Sequence, residues 1–389
     1  MKWRAYSAYK DSGIEWAGKI PKHWDSQRLK YLSSLNDDTL GETTNPDLEI
    51  LYVDIGSVDA IQGIQHKEKL IFEDAPSRAR RRVRHGDVIV STVRTYLRAI
   101  APIIKPEANT IVSTGFAVIR PRDRLESQFA LYALRTPYFV EKVVANSVGV
   151  SYPAINASEL ATFFIVLPPK DEQRAIAAFL DHKTAHIDAL IAKKKRQIEL
   201  LQEKRAALIS HAVTKGLDPG VPMKDSGIEW LGEIPAHWEA APVWTLFALG
   251  RGRVISNIEI LDNLGPYPVY SSQTENEGVM GYINTFEFEG VYLTWTTDGA
   301  KAGTVFYREG RFNCTNVCGT LKATSPEVET KFFEYGLNLA TSFFVRHDIN
   351  PKLMNNVMAR IRVQTPPLEE QRAIVIYLDR ETANLDALI

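Results

Sequence analysis

Two stretches of this 389-residue chain are written twice, far apart, and they limit what it can fold into. Lys10 to Trp24 reads KDSGIEWAGKIPKHW, and Lys224 to Trp238 reads KDSGIEWLGEIPAHW, 214 residues later. PPKDEQRAIAAFLDHKTAHIDALI from Pro168 returns as PPLEEQRAIVIYLDRETANLDALI from Pro366, 198 residues later. A long-period repeat of this kind means two copies of one structural unit. Each copy has a lead-in, a body and a proline-led helix.

Between the shared landmarks the bodies diverge. Gly86 corresponds to Gly290 and Gly115 to Gly319 at an offset of 204, while Pro153 corresponds to Pro351 at 198. The first body is therefore longer by 10 residues before Gly86 and by 6 between Gly115 and Pro153. One scaffold with unequal loops suits two different binding surfaces. β-branched or alternating runs predict strands at Leu51–Ile55, Asp87–Val93, Gly115–Ile119, Val291–Thr297 and Thr304–Tyr307. Apolar spacing predicts helices at Ser127–Arg135 and Lys331–Val345. Strands followed by helices give an α+β class.

The proline-led segments carry Asp171 and Glu172, or Glu369 and Glu370, in their first turns, where acids suit the helix dipole. Ile176, Phe179, Leu180, Ile187, Ile191, Ile198, Leu201 and Leu208 form a three-four spaced stripe, broken by Lys194 and Arg205. That is a coiled-coil-like seam. A helix from Asp171 to Val213 would be roughly 64 Å long, with a weak point at His182–Thr184. Ile374, Tyr377, Leu378, Leu385, Leu388 and Ile389 repeat the stripe over a helix of roughly half that length. Such a seam needs a partner, since solitary helices are marginal in water.

The expected division is therefore a first body with its lead-in (1–169), a spacer helix (170–214), a linker with the repeated lead-in (215–238), a second body (239–367) and a second, shorter spacer helix (368–389).

Catalytic signatures are missing. There is no G-x4-G-K-[ST] phosphate loop, and the glycines of Thr297–Gly303 have the wrong spacing for one. A dinucleotide fingerprint is also absent. His182 and His186 stand four apart, but the repeat places Arg380 and Asn384 at those positions, which argues against a metal site. Cys314 and Cys318, the only cysteines, lack further ligands nearby and read as reduced core thiols. There is no long apolar run to cross a membrane and no signal-peptide core, which points to the cytoplasm.

Basic and polar residues carry the functional expectation. The net charge of −1 excludes a uniformly basic coat but not local basic faces. Arg78, Arg80, Arg81, Arg82 and Arg84 crowd one segment whose nearby acids are only Asp74 and Asp87, and Arg94 and Arg98 follow. Arginine forks suit phosphate and guanine, with Tyr96 and Tyr152 available to pack on sugars or bases. The same run also fits a solvated loop. In the second body Tyr270, Ser272, Gln273, Thr297, Asn313 and Asn316 offer polar groups near strand ends, with Lys301, Arg311 and Lys352 for phosphates. Such residues equally suit ordinary turns.

The duplicated K-D-S-G-I-E-W-x-G-x-I-P-x-H-W and P-P-x-x-E-Q-R-A-I motifs resemble the specificity subunits of type I restriction-modification systems over nearly the whole chain. The resemblance implies two tandem target recognition domains, each reading half of a bipartite, asymmetric site on double-stranded DNA. It implies antiparallel spacer helices that dock two methyltransferase subunits, with Ile176, Phe179, Ile187, Ile191, Ile198, Leu201, Leu208, Ile374, Tyr377 and Leu385 as docking candidates. Restriction subunits would join them. S-adenosylmethionine, ATP and magnesium would belong to those partners, leaving this chain without a cofactor and non-catalytic. Family members complete the second helix, whereas this sequence stops inside it, so the rest of the spacer is expected from a second copy, another subunit or further residues. The readings weighed against this are a self-contained DNA-modifying enzyme and a helical protein-binding scaffold.

Overall fold

A computed structural model describes residues 5–346 and 350–389. The chain forms two compact units, Met1–Leu190 and Ile191–Ile389. Both have the α+β character that their strand-then-helix order predicts.

The first unit is built on two four-stranded sheets. One runs Ile100–Pro102, Val88–Ser91, Phe116–Pro121, Ser33–Leu35, all antiparallel. The other runs Glu68–Ile71, Glu49–Val53, Thr110–Ser113, Ala79–Arg82, with a parallel pair at its centre. Val88-Ile89-Val90 is apolar throughout because both faces of its strand are covered. Val88 and Val90 face the helical side of the core, and Ile89 faces a separate cluster with Val53, Val112 and Phe116. The expected strand at Leu51–Ile55 ends instead at Val53, since Asp54 accepts from the Ser57 N–H and starts a 3-10 turn at Ile55–Ser57.

The second unit is built on one six-stranded sheet, ordered Phe247–Arg251, Cys318–Ala323, Phe288–Thr296, Val305–Cys314, Leu264–Tyr270, Val279–Ile283. Cys314 and Cys318 are free and buried against Phe312. Gly115 and Gly319 each sit where a side chain has no room. An added Cβ would stand 2.4 Å from Ile55 in one and 2.2 Å from the Trp295 ring in the other.

The helix at Ser127–Leu134 forms where expected. A further helix, Pro137–Ala145, follows it, with Pro137 fixing φ at the first position. The second unit uses the single helix Thr330–Thr341 at that point in the chain, four residues short of the expected Val345.

The long helix runs unbroken through 46 residues, Lys170–Lys215, so the weak point at His182–Thr184 is not a break. Poor apolar content there exposes side chains but leaves the backbone ladder intact. Gly216 ends the helix with a left-handed φ of 78° and an N–H bond to the Ala212 carbonyl. The second helix, Leu368–Asp386, begins beside Leu217 and Asp218 and ends with Asp386 3.0 Å from Arg205, so it runs antiparallel to the end of the long helix. Ile374 and Leu378 are buried with Ala212 and Val213.

The repeated motifs are two halves of one clamp. In each unit a lead-in strand pairs antiparallel with the last strand of the body, Asp25–Arg28 with Phe164–Leu167 and Glu239–Pro242 with Arg362–Thr365. Beside that seam Trp24 Nε1 donates to Glu172 (2.9 Å), and His23 Nε2 lies 2.5 Å from the same carboxylate. Trp238 and His237 repeat this on Glu370 at 2.9 and 2.6 Å. Gln173 Nε2 donates to the carbonyls of Pro168 and Arg124, while its Oε1 accepts the Glu126 N–H. Gln371 bonds Pro366, Glu327 and Glu329 in the same way. Both glutamines are almost fully buried. The E-Q pair thus ties the lead-in, body and helix of each unit together.

Candidate nucleic-acid interface

In the first unit the strand Val88–Ser91 leads into a tight projection. Thr92 donates to the Gly115 carbonyl, and Thr95, almost fully buried, bonds Ser147 at 2.9 Å. Arg94, between these threonines, and Arg98, just beyond them, adopt left-handed φ values of 54° and 53° on either side of the 3-10 turn Thr95–Leu97. Left-handed backbone at a non-glycine residue costs on the order of 1 kcal/mol or more and persists only where the surroundings impose it. Here two anchored threonines impose it. The result is a tip with Tyr96 exposed and the Arg94 guanidinium 4.9 Å above the Tyr152 ring. Arg98 pairs with Glu141 at 2.7 Å. The neighbouring loop is tied to the tip by the Val93–Ala154 bridge and closed on itself by the Val148–Ala154 bridge, and it exposes Val148 and Val150 beside Tyr152.

The arginine run is not one cluster. Arg78 lies at the tip end: its carbonyl accepts the Thr114 N–H, and its Nε donates to the Tyr52 hydroxyl. Arg80 packs 4.6 Å from the Phe72 ring. Arg81 donates to Asn36 Oδ1, and burial pushes its guanidinium below its ordinary pKa. Arg84 pairs with Asp38 at 2.6 Å. Few acids stand nearby in sequence, so the run looked hard to neutralise; the fold brings in Asp38 from 46 residues away. Asp87 is spent on Arg120. Arg82 is exposed, with no side-chain partner among the described residues.

The second unit assembles its polar residues around one surface. Arg251 Nε donates to the Asn316 carbonyl and its Nη2 lies 3.9 Å from Asp298, which Lys352 also approaches at 3.6 Å. The Thr315 N–H bonds the Tyr270 carbonyl, and the Thr315 hydroxyl reaches Ser271, so the segment with Ser272 and Gln273 joins the same face. Lys301, Asn316 and Lys352 are exposed there. Tyr270 is half-buried, and burial raises its pKa. Gln273 is exposed and bonded through Nε2 to the Val279 carbonyl. Two expected contacts serve the fold instead. Thr297 is fully buried and bonds Asp298, and Asn313 is fully buried and donates to the Thr285 carbonyl. Arg311 is exposed but held by Glu289 at 2.8 Å.

The two surfaces occupy matching positions in the repeat. Val93–Ala154 and Val148–Ala154 bridges in the first unit correspond to Asp298–Lys352 and Arg346–Lys352 bridges in the second. The strand–loop frame is shared and the side chains differ. Among the docking candidates, Ile187 and Ile191 are exposed, Ile176, Phe179, Ile198, Leu201, Leu208 and Tyr377 are half-buried, and Ile374 and Leu385 are buried within the second unit.

A family model described as the type I restriction modification DNA specificity domain matches residues 81–200 and 235–388, well over half of the chain. The chain belongs to this family. A candidate type I specificity subunit of Mycoplasma pneumoniae is 35% identical over 221 residues, covering 56% of this chain and 81% of that protein. The specificity subunit of the type I restriction enzyme MpnII from the same organism is 42% identical over 143 residues, 36% of this chain and 43% of its own length. Both relatives are described as specificity subunits. The HsdS subunit from Thermoanaerobacter tengcongensis has the same fold, with a TM-score of 0.63 at 22% identity over 95% of this chain and 91% of that one. A chain from a study of type I R-M complex assembly and conformational transition superposes with a TM-score of 0.77 at 22% identity, over 95% and 92%.

The sequence reading takes Glu172 and Glu370 only as first-turn acids and misses Arg251, Asp298 and the buried Arg308. The clamp was available as a signal, because H-W and E-Q recur as a pair in both copies.

Proposed function

We propose that this chain reads a bipartite, asymmetric site on double-stranded DNA for a type I restriction-modification complex, each unit selecting one half. Phosphate contacts position the protein and base contacts select the site. In the first unit Arg82, Arg94, Tyr96 and Tyr152 meet DNA; in the second, Gln273, Lys301, Asn316 and Lys352 do so. The long helix common to both units serves as the spacer, and its exposed Ile187 and Ile191 contribute to the docking face for two methyltransferase subunits. Restriction subunits complete the assembly. S-adenosylmethionine, ATP and magnesium belong to the partner subunits, and the complex works in the cytoplasm.

One observation carries this reading. Equivalent loop pairs, anchored by equivalent bridges in each unit, present different polar side chains. A mobility-shift titration of the chain assembled with methyltransferase subunits tests it. Arg82→Ala with Arg94→Ala should weaken binding and lower the slope of log K against log salt by about 1 for each phosphate no longer neutralised. An unchanged slope would take both arginines off the phosphates.

A further inference from the structure

Arg308 lies almost fully buried on the strand Val305–Cys314, yet among the described residues it has no carboxylate partner within ion-pair distance. Its guanidinium packs 3.7 Å from the Tyr270 ring centroid and 4.5 Å from that of Phe306. Nε donates to Thr294 Oγ1 at 3.2 Å, and Nη2 to the Glu277 carbonyl at 2.5 Å. A buried cation without a counter-ion is costly to keep and an aliphatic side chain would fill the space more cheaply. Aromatic faces and a carbonyl dipole offset part of that cost.

The carbonyl it holds belongs to an unusual turn. Asn276, Glu277 and Gly278 are left-handed in succession, with φ values of 48°, 53° and 82°. Only glycine adopts that conformation freely. At Gly278 an added Cβ would stand 3.0 Å from the Gln273 carbonyl and 3.3 Å from Arg308 Nη2. A 2.9 Å bond from the Ser271 N–H to the Gly278 carbonyl closes the loop over the arginine. Its outward side chains are Gln273, Glu275, Asn276 and Glu277. Through Ser271 and Thr315 the loop abuts the face that carries Asn316 and Asp298. The first unit has nothing comparable on its strand Ile100–Pro102, which contains no arginine.

We infer that Arg308 is a positioning residue for base selection by the second unit, holding the Ser271–Gly278 loop in the shape in which Gln273 and Asn276 meet DNA. This rests on the DNA-reading function proposed above. A guanidinium reaches the Glu277 carbonyl and Thr294 together while packing against Tyr270, which a smaller or uncharged side chain cannot do.

The test uses the full chain assembled with methyltransferase subunits. Selection from randomised duplexes is run alongside hydrogen exchange of residues 271–279. Arg308→Met should lower discrimination in the second-unit half of the target at least tenfold, leave the other half unchanged, and speed exchange in the loop at least tenfold. Arg308→Lys should rescue part of the discrimination. If the unsubstituted complex selects a split target and Arg308→Met selects it identically with unchanged exchange, the inference is overturned. If the unsubstituted complex selects no sequence, the DNA-reading function fails, and exchange alone decides whether Arg308 holds the loop. Should Arg308→Met not fold, Glu277→Val disfavours the left-handed turn from its exposed side, without touching the core or the side chains that meet DNA. That variant should broaden the same half, and an unchanged half would overturn the inference.

Discussion

The lead-in of the second unit packs into a filled core, while that of the first borders a cavity. Leu231, Ile234 and Trp238 are buried with Ala212 and Val213 from the end of the long helix, and Leu208 and Ile209 pack against them. In the first unit the corresponding Ala17, Ile20 and Trp24, with Phe129, Ile176 and Leu180, line an apolar space of about 430 Å³. The repeat has kept the walls and not the filling. The first unit adds other contacts instead. Tyr6 donates a third bond to Glu172 at 2.7 Å, and Trp16 stacks on Tyr138 with ring centroids 3.9 Å apart. Duplicated sequence therefore does not mean duplicated energetics.

Substitutions can break this contrast. The largest effect is expected from Leu231→Ala, which opens a cavity in the second core and should cost about 3 kcal/mol in denaturant unfolding. A loss below about 1 kcal/mol would mean that the second unit is no better filled than the first. Next come Gln173→Ala and Gln371→Ala, each stranding a buried N–H and carbonyls at a cost of about 2 kcal/mol. Equal losses in the two units would show that the clamp, unlike the core, is conserved in energy as well as in sequence. Tyr6→Phe should cost at most about 1 kcal/mol, because the bond is exposed. Ala17→Leu, which gives the first unit the residue of the second, should be neutral or stabilise by up to about 1 kcal/mol; a clear loss would show that the cavity cannot accept a larger wall.

The clamp also has a pH signature. Burial acts to raise the Glu172 pKa, but hydrogen bonds from Tyr6, Trp24 and His23 outweigh it and hold the carboxyl below its ordinary value. The same carboxylate pushes the Tyr6 hydroxyl up to about 12. A depressed carboxyl favours the folded clamp at neutral pH, and that contribution fades as pH falls below the ordinary carboxylate range through the depressed value. Trp24 fluorescence should report the loosening in acid. Glu172→Gln should remove the transition, and persistence of an identical transition would assign it to another group.

Much of the fold was legible because periodicity and repetition are local and redundant. The helix at Ser127 and the proline-led helices follow from apolar spacing and first-turn acids. The candidate interface was legible only in part, because accessibility and pairing are set by distant chain. Arg81 and Arg84 read as free cations until Asn36 and Asp38 are folded against them. Thr297 and Asn313 read as surface donors near strand ends, but they sit where strands cross into the core. Nothing local marks Arg308, since Tyr270 and Glu277 close over it only in the fold. Lys301, Asn316 and Lys352 were placed on one face by strand pairing that spans dozens of residues.

The central claim is that two similar frames read two different pieces of DNA. Its most direct test is methylation mapping of the assembled complex after residues 25–167 are exchanged for the first body of another family member. The account predicts that one half of the methylated target changes and the other is retained base for base. A change in both halves, or in neither, would contradict it.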